Sequence, residues 1–177
     1  QKESYSNLKS FFVYERCINV FSFYESEEYL QCERNFKSLT KLDISACFDS
    51  IYTHSLAWAV YGKNFTKSNI GAVENAFAGK FDTLMRRMNH NETNGIVIGP
   101  EVSRLFSEII LQSIDADLMN KLVARGQKDG EDFKIYRYVD DYFIFHNNEE
   151  CLVAIKKLLQ DTLRIYKLSL NKGKEET

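Results

Sequence analysis

Residues 135–145 read Ile-Tyr-Arg-Tyr-Val-Asp-Asp-Tyr-Phe-Ile-Phe. Two runs of aromatic and β-branched residues flank a pair of carboxylates, Asp140 and Asp141. Runs of this composition predict strands, and the Asp pair predicts the turn that joins them. Tight hairpins favour Asn-Gly or Asp-Gly because both central residues take positive φ, yet no Gly stands here. Two negative charges crowded at a hydrophobic hairpin tip repel, and one would ordinarily take up a proton. A divalent cation held by oxygen ligands removes that conflict. Taken alone, the segment reads equally well as a surface turn, so the weight falls on the rest of the chain.

The chain has 177 residues, 44% hydrophobic and 27% charged, enough for one domain with a core. No run of eighteen apolar residues occurs, so no membrane span or membrane partner is expected. The sequence starts at Gln1 with no signal-peptide pattern, which predicts a piece of a longer cytoplasmic protein. Cys17, Cys32, Cys47 and Cys151 lack C-x-x-C spacing, and His54, His90 and His146 do not cluster with them. A zinc site is therefore not expected, and reduced core thiols are. The histidines read as packing or surface residues. The net charge of −2 argues against a stand-alone nucleic-acid-binding module, which is usually basic. It weighs less against an enzyme whose metal ions offset local negative charge.

Working outward from the hairpin, Lys37–Ile44 predicts a strand with Asp43 near its end. Glu25–Phe36 predicts the best helix of an aromatic-rich N-terminal region. A helix is expected over Ser50–Tyr61, closed at Gly62, and another from an N-cap at Ser68 to about Arg87. Asn89–Asn94 is polar and loop-like. Pro100 predicts the first position of a long helix in which Val102, Leu105, Phe106, Ile109, Ile110, Ile114 and Leu118 recur at helical spacing. Asn148–Tyr166 predicts an amphipathic helix, and Leu168–Leu170 a short last strand. The order implies an α+β fold, a small antiparallel sheet with helices on one face. It lets Asp43 come beside the 140–141 hairpin.

Four segments then agree in order. They are Lys41-Leu-Asp-Ile-Ser-Ala-Cys-Phe-Asp-Ser-Ile51, Asn94-Gly-Ile-Val-Ile-Gly-Pro-Glu-Val-Ser-Arg104, Tyr138-Val-Asp-Asp-Tyr142 and Leu168-Ser-Leu-Asn-Lys-Gly-Lys174. Together they resemble motifs A to D of a reverse transcriptase palm, a sheet of ferredoxin or RRM-like type. The likeness spans about residues 37–174. It implies a palm over 37–177, a helical fingers-side segment over 1–36, and no thumb in this stretch. The wording of Ser50–Ser55 and Gly99–Ser103 is most similar to bacterial reverse transcriptases of the abortive-infection and phage-defence type.

The resemblance implies RNA-directed DNA synthesis from deoxynucleoside triphosphates, on an RNA template and with a DNA product. Nucleotide addition is an in-line displacement on the α-phosphate, and two divalent ions roughly 4 Å apart stabilise the attacking and leaving oxygens. The implied ions are Mg²⁺, with Mn²⁺ as a substitute. Asp43 and Asp140 are the implied main ligands, Asp141 a secondary one, and Ile44 lends its backbone carbonyl. The resemblance likewise implies that Phe48 packs under the sugar of the incoming nucleotide, where a ring leaves no room for a 2′-hydroxyl, and that Gly99 and Ser103 brace the templating base and the nucleotide. Here the chain departs from the family, which often has Pro-Gln before the Gly where this sequence has Val97-Ile98. Lys174, with Lys172 as rival, matches a lysine that neutralises the leaving pyrophosphate. Template, primer and oligomeric state stay open. So do an inactive palm serving as a scaffold and an untemplated polymerase. An RNA-binding sheet module of the RRM kind lacks the basic surface it would need.

Overall fold

The computed structural model describes residues 20–171 and 173. Lys172, Lys174, Cys17 and the aromatic residues at 11, 12 and 14 lie outside them. Two short helices come first, α1 (Val20–Tyr24) and α2 (Glu27–Asn35), followed by strand β1 (Ser38–Asp43). Five helices follow: α3 (Cys47–Ser50), α4 (Ser55–Tyr61), α5 (Lys63–Ser68), α6 (Ile70–Asn75) and α7 (Phe77–Met88). The long α8 (Glu101–Ala124), the hairpin strands β2 (Phe133–Tyr138) and β3 (Asp141–His146), and α9 (Glu149–Ile165) complete the order.

The sheet is antiparallel in the order β1-β3-β2, so the second hairpin strand is central. Side chains alternate across a strand. Tyr142 and Ile144 point into the main core with Phe106, Ile110 and Ile114 of α8 and Ile155, Leu159 and Leu163 of α9. Phe143 and Phe145 point the other way. That second face is not bare: Phe23, Cys32 and Phe36 from the α1–α2 region close over it in an aromatic cluster. Phe23 stacks edge-on to Tyr29 at 5.4 Å and contacts Phe143 at 5.3 Å. β3 is buried on both sides from Tyr142 onward, which explains its unbroken run of large apolar residues.

Several boundaries differ from the sequence expectation. The helix expected over Ser50–Tyr61 is shortened to α4 (Ser55–Tyr61), with the short α3 ending at Ser50, because Ile51–His54 is drawn aside to pair with the loop at 93–95. Tyr52 bridges Asn94, the Thr53 N–H donates to the Thr93 carbonyl at 2.9 Å, and the Gly95 N–H donates to the Ile51 carbonyl at 2.8 Å. Gly95 has φ +83°, and a Cβ there would meet the Asp49 carbonyl oxygen at 3.1 Å. Ser68 ends α5 rather than capping a long helix, and the stretch to Arg87 is broken into α6 and α7. At that break a Cβ on Gly79 would sit 2.5 Å from the backbone of Glu74, so only glycine permits the turn. Pro100 is the N-cap of α8, with extended φ and ψ, one position before the expected one. The last strand is reduced to a single bridge between Ile44 and Leu170.

Candidate active site

The hairpin turn is displaced by one residue from its expected place. Tyr138 pairs with Asp141, so the two-residue loop is Val139-Asp140, and Asp141 is the first residue of β3. Val139 takes φ +57°, while Asp140 is not among the positive-φ residues. Positive φ at the first central position alone matches the turn type that otherwise wants Gly there. A β-branched residue in that region is a strained conformation, costing on the order of 1–3 kcal/mol. It persists only where the surroundings over-determine it.

The surroundings do so through Arg137, the residue before Tyr138. Its side chain is 7% exposed. Nη1 donates to the Val139 carbonyl at 2.7 Å and to Glu108 Oε2 at 2.9 Å. Nη2 donates to Glu108 Oε1 at 2.8 Å and lies 2.8 Å from Asp115 Oδ2, which also accepts from Nε at 2.8 Å. Four hydrogen bonds and the ion pair with Asp115 thereby engage all three nitrogens of the guanidinium. Tyr142, directly across from Arg137 in the β2–β3 ladder, donates its hydroxyl to Asp115 Oδ1 at 2.7 Å. Burial works against the Arg137 charge, but the Glu108 hydrogen bonds and the Asp115 charge raise its pKa further above the usual arginine value. Burial raises the Glu108 carboxyl as well, yet bonding to Arg137 outweighs it and leaves the group below the ordinary range. Asp115 is more deeply buried, and there desolvation prevails and its pKa goes up.

β1 reaches this turn from the other side. Asp43 is the register partner of Asp141, and the Ile44 N–H donates to the Asp140 carbonyl at 3.1 Å. The three aspartates expected to act together are thus brought to one end of the sheet by backbone pairing. Asp43 and Asp141 share the face opposite α8 and α9, since directly paired residues project to the same side. Asn171 steadies Asp43 from the C-terminal bridge. Its N–H donates to the Asp43 carbonyl at 2.8 Å, and its Nδ2 donates to Asp43 Oδ2 at 3.0 Å.

The donor set suits a hard divalent cation: carboxylate oxygens at the ends of two neighbouring strands, with backbone carbonyls beside them. Among the described residues no group of three or more His, Cys, Asp or Glu side chains is placed so as to hold a metal ion. Cys47 is the soft donor nearest in sequence to Asp43, and it is 2% exposed. Burial, with the negative charge of Asp140, pushes its thiol up to about 12.

The remaining expected residues are placed as follows. Ile44 is buried at the end of β1. Phe48, in α3, is partly buried against the main core, and its carbonyl accepts from the Ile96 N–H at 2.9 Å. Gly99 is exposed with φ +117° and open space where a Cβ would be. Ser103 is fully buried, and its hydroxyl has no hydrogen-bond partner among the described residues. Lys174 lies outside the described residues. A cavity of about 640 Å³ opens among α4 to α7, lined by Tyr52, His54, Trp58 and Asp82, and none of the three aspartates borders it.

Sequence reading missed Arg137, Glu108, Asp115 and Asn171. A signal for the first three was present. Glu108 and Asp115 stand seven residues apart on one helix, hence on one face, and Arg137 is a charged residue within a strand otherwise rich in aromatic and apolar residues.

The family model for reverse transcriptase (RNA-dependent DNA polymerase) matches residues 7–177. No curated protein matches the chain. Among solved structures, an apo telomerase from Candida tropicalis, truncated from its C-terminal domain, is similar with TM-score 0.53 and 18% identity over 78% of this chain and 30% of its own. A telomerase from Candida albicans in complex with a TWJ fragment of telomeric RNA is similar with TM-score 0.54 and 15% identity over 84% of this chain and 28% of its own. The chain thus spans less than a third of the length of these structures, and the likeness is one of fold. A family match over nearly the whole sequence, on a fold that these structures share, makes this chain a member of the reverse transcriptase (RNA-dependent DNA polymerase) family.

Proposed function

We propose that this chain is the palm, with part of the helical fingers, of an RNA-directed DNA polymerase that adds deoxynucleotides through two divalent cations. The observation that carries the reading is the register of β1 against the hairpin, which sets Asp43 beside Asp140 and Asp141. In this reading Asp43 and Asp140 hold the cations, Asp141 assists, and the Ile44 carbonyl completes the set. Bound Mg²⁺, or Mn²⁺ in its place, supplies electrostatic stabilisation of the charge that develops on the attacking 3′-oxygen and the departing pyrophosphate. The protein's own part is to orient. Phe48 limits the space at the sugar, and the exposed Gly99 lets the strand or nucleotide approach the backbone closely. The likeness to telomerase folds and the family itself support an RNA template. The wording of Ser50–Ser55 and Gly99–Ser103 supports a bacterial antiphage role in the cytoplasm.

The test is deoxynucleotide incorporation by the full-length protein, with Mg²⁺ or Mn²⁺, with and without RNA. Wild type is compared with Asp140→Ala. Incorporation that needs RNA and vanishes in the variant supports the reading. A wild type that incorporates nothing under any condition, with unchanged binding of RNA, points instead to a scaffold palm. Incorporation indifferent to RNA points to untemplated synthesis.

A further inference from the structure

We propose that Arg137 is a positioning residue that sets the Val139-Asp140 turn, and through it the Asp140 carboxylate, by tying the turn's carbonyl to two acidic residues of α8. The inference rests on the reading that Asp140 holds a divalent cation, and it adds a part to that site.

The geometry carries it. An arginine wanted only to fill space between a sheet and a helix would need one carboxylate partner. Arg137 has two, Glu108 and Asp115, engaged by both ends of its fork. Among the described residues its one backbone acceptor is the carbonyl of Val139 at 2.7 Å, the residue whose φ of +57° defines the turn. A carbonyl held from below fixes the peptide plane between Val139 and Asp140, and that plane aims the next Cα–Cβ bond. The guanidinium is itself held in place: Glu108 grips it bidentately, and Asp115 is locked by the Tyr142 hydroxyl at 2.7 Å. Burial strengthens each of these bonds. The planar fork matters more than the charge, because a lysine ammonium has one nitrogen and cannot span two carboxylates and a carbonyl together.

α8 also begins directly after Gly99 and Pro100. The helix that carries Glu108 and Asp115 thus starts at the loop that the proposed function sets beside the incoming nucleotide. One rigid element references both the nucleotide side and the carboxylate turn.

The experiment uses the full-length protein and three readouts: steady-state incorporation resolved into kcat and KM for the nucleotide, Mn²⁺ binding by the loss of the free-ion electron paramagnetic resonance signal, and thermal midpoint. Arg137→Lys is expected to lower kcat at least tenfold, leave KM within about twofold, and weaken the Mn²⁺ site several-fold. Tyr142→Phe, which removes a single hydroxyl from the far edge of the network, gives a smaller loss in the same two readouts. Leu159→Ala, a core truncation in α9, is the control matched for stability: its midpoint falls while kcat and Mn²⁺ affinity per folded molecule hold. The proposal is overturned if Arg137→Lys keeps wild-type kcat and Mn²⁺ affinity, or if its losses merely track the midpoint as those of Leu159→Ala do. Asp140→Ala separates the two levels. If that variant still binds Mn²⁺ and incorporates nucleotide, the functional reading fails, whatever Arg137 does.

Discussion

Asp43 faces Asp141 across the β1–β3 ladder, one residue beyond the point where Leu42 faces Tyr142. Like charges directly opposite one another on a sheet are destabilising, with Cβ atoms about 4.5–5.5 Å apart. The sheet tolerates the pair at its open end, and the arrangement has measurable consequences.

If Asp43 holds a cation as proposed, Asp43→Asn is expected to cut nucleotide incorporation by at least about 10³-fold, since loss of such a carboxylate forfeits several kcal/mol of transition-state stabilisation. Folding stability stays level or rises by a few tenths of a kcal/mol as the repulsion is relieved. Primer extension and a denaturant titration on the same sample check both halves.

Phe48→Ala is expected to admit ribonucleotides. A pocket wall that excludes one group is worth about 1–3 kcal/mol, so discrimination against the ribose 2′-hydroxyl drops by about 10–200-fold. Because the ring is only partly buried, the stability cost stays below the about 3–5 kcal/mol of a fully enclosed Phe. Competition between labelled deoxy- and ribonucleotides decides it, and unchanged selectivity refutes the role.

Val139→Gly is expected to stabilise the fold. Relief of positive φ on a β-branched residue gains about 1–3 kcal/mol, while glycine loses about 0.5–1 kcal/mol through its freer unfolded chain. The net gain of about 1 kcal/mol lifts the melting midpoint by about 2–4 °C in a chain of this size. Calorimetry that shows a fall instead contradicts the strain.

Alkaline pH is expected to unfold the protein through Cys47. Its folded pKa of about 12 lies above the ordinary thiol value of 9.0, because burial and the Asp140 charge disfavour the thiolate. Between those values the unfolded chain loses the proton first and holds fewer protons than the native one. Stability therefore declines as pH rises from near 9 toward 12, by up to about 1.4 kcal/mol per pH unit. Cys47→Ala should flatten this part of the curve, read as denaturant midpoint against pH. Tyr142 adds a similar slope, since its buried hydroxyl is also held well above its usual value.

The hairpin, β1, the long α8 and α9 were legible because each carries a local signal: aromatic and β-branched residues in the hairpin, alternation in β1, helical spacing in the helices. That Asp43 lies beside the 140–141 hairpin was legible too, since two strands with carboxylates at their ends admit few pairings. The region between Ser50 and Arg87 was not. Its breaks depend on close approaches between segments distant in sequence, as at Gly95 against Asp49 and Gly79 against Glu74, and local propensity has no view of those. The displacement of the turn to Val139-Asp140 escaped for a related reason. Arg137 imposes on Val139 a conformation its own chemistry resists, and the acids that anchor Arg137 sit more than twenty residues upstream.

Because β3 is enclosed above and below, the palm has almost no tolerance for a change of length within its strands. Adding or deleting one residue within β3 would send the side chains beyond it to the opposite face, so that apolar residues meant for α8 meet the Phe23 cluster and the reverse, and would break the register with β1. Evolutionary drift in the size of this protein should accordingly collect in the connections around Gly62 and Asn89–Asn94, while the hairpin is copied letter-count for letter-count from ancestor to descendant.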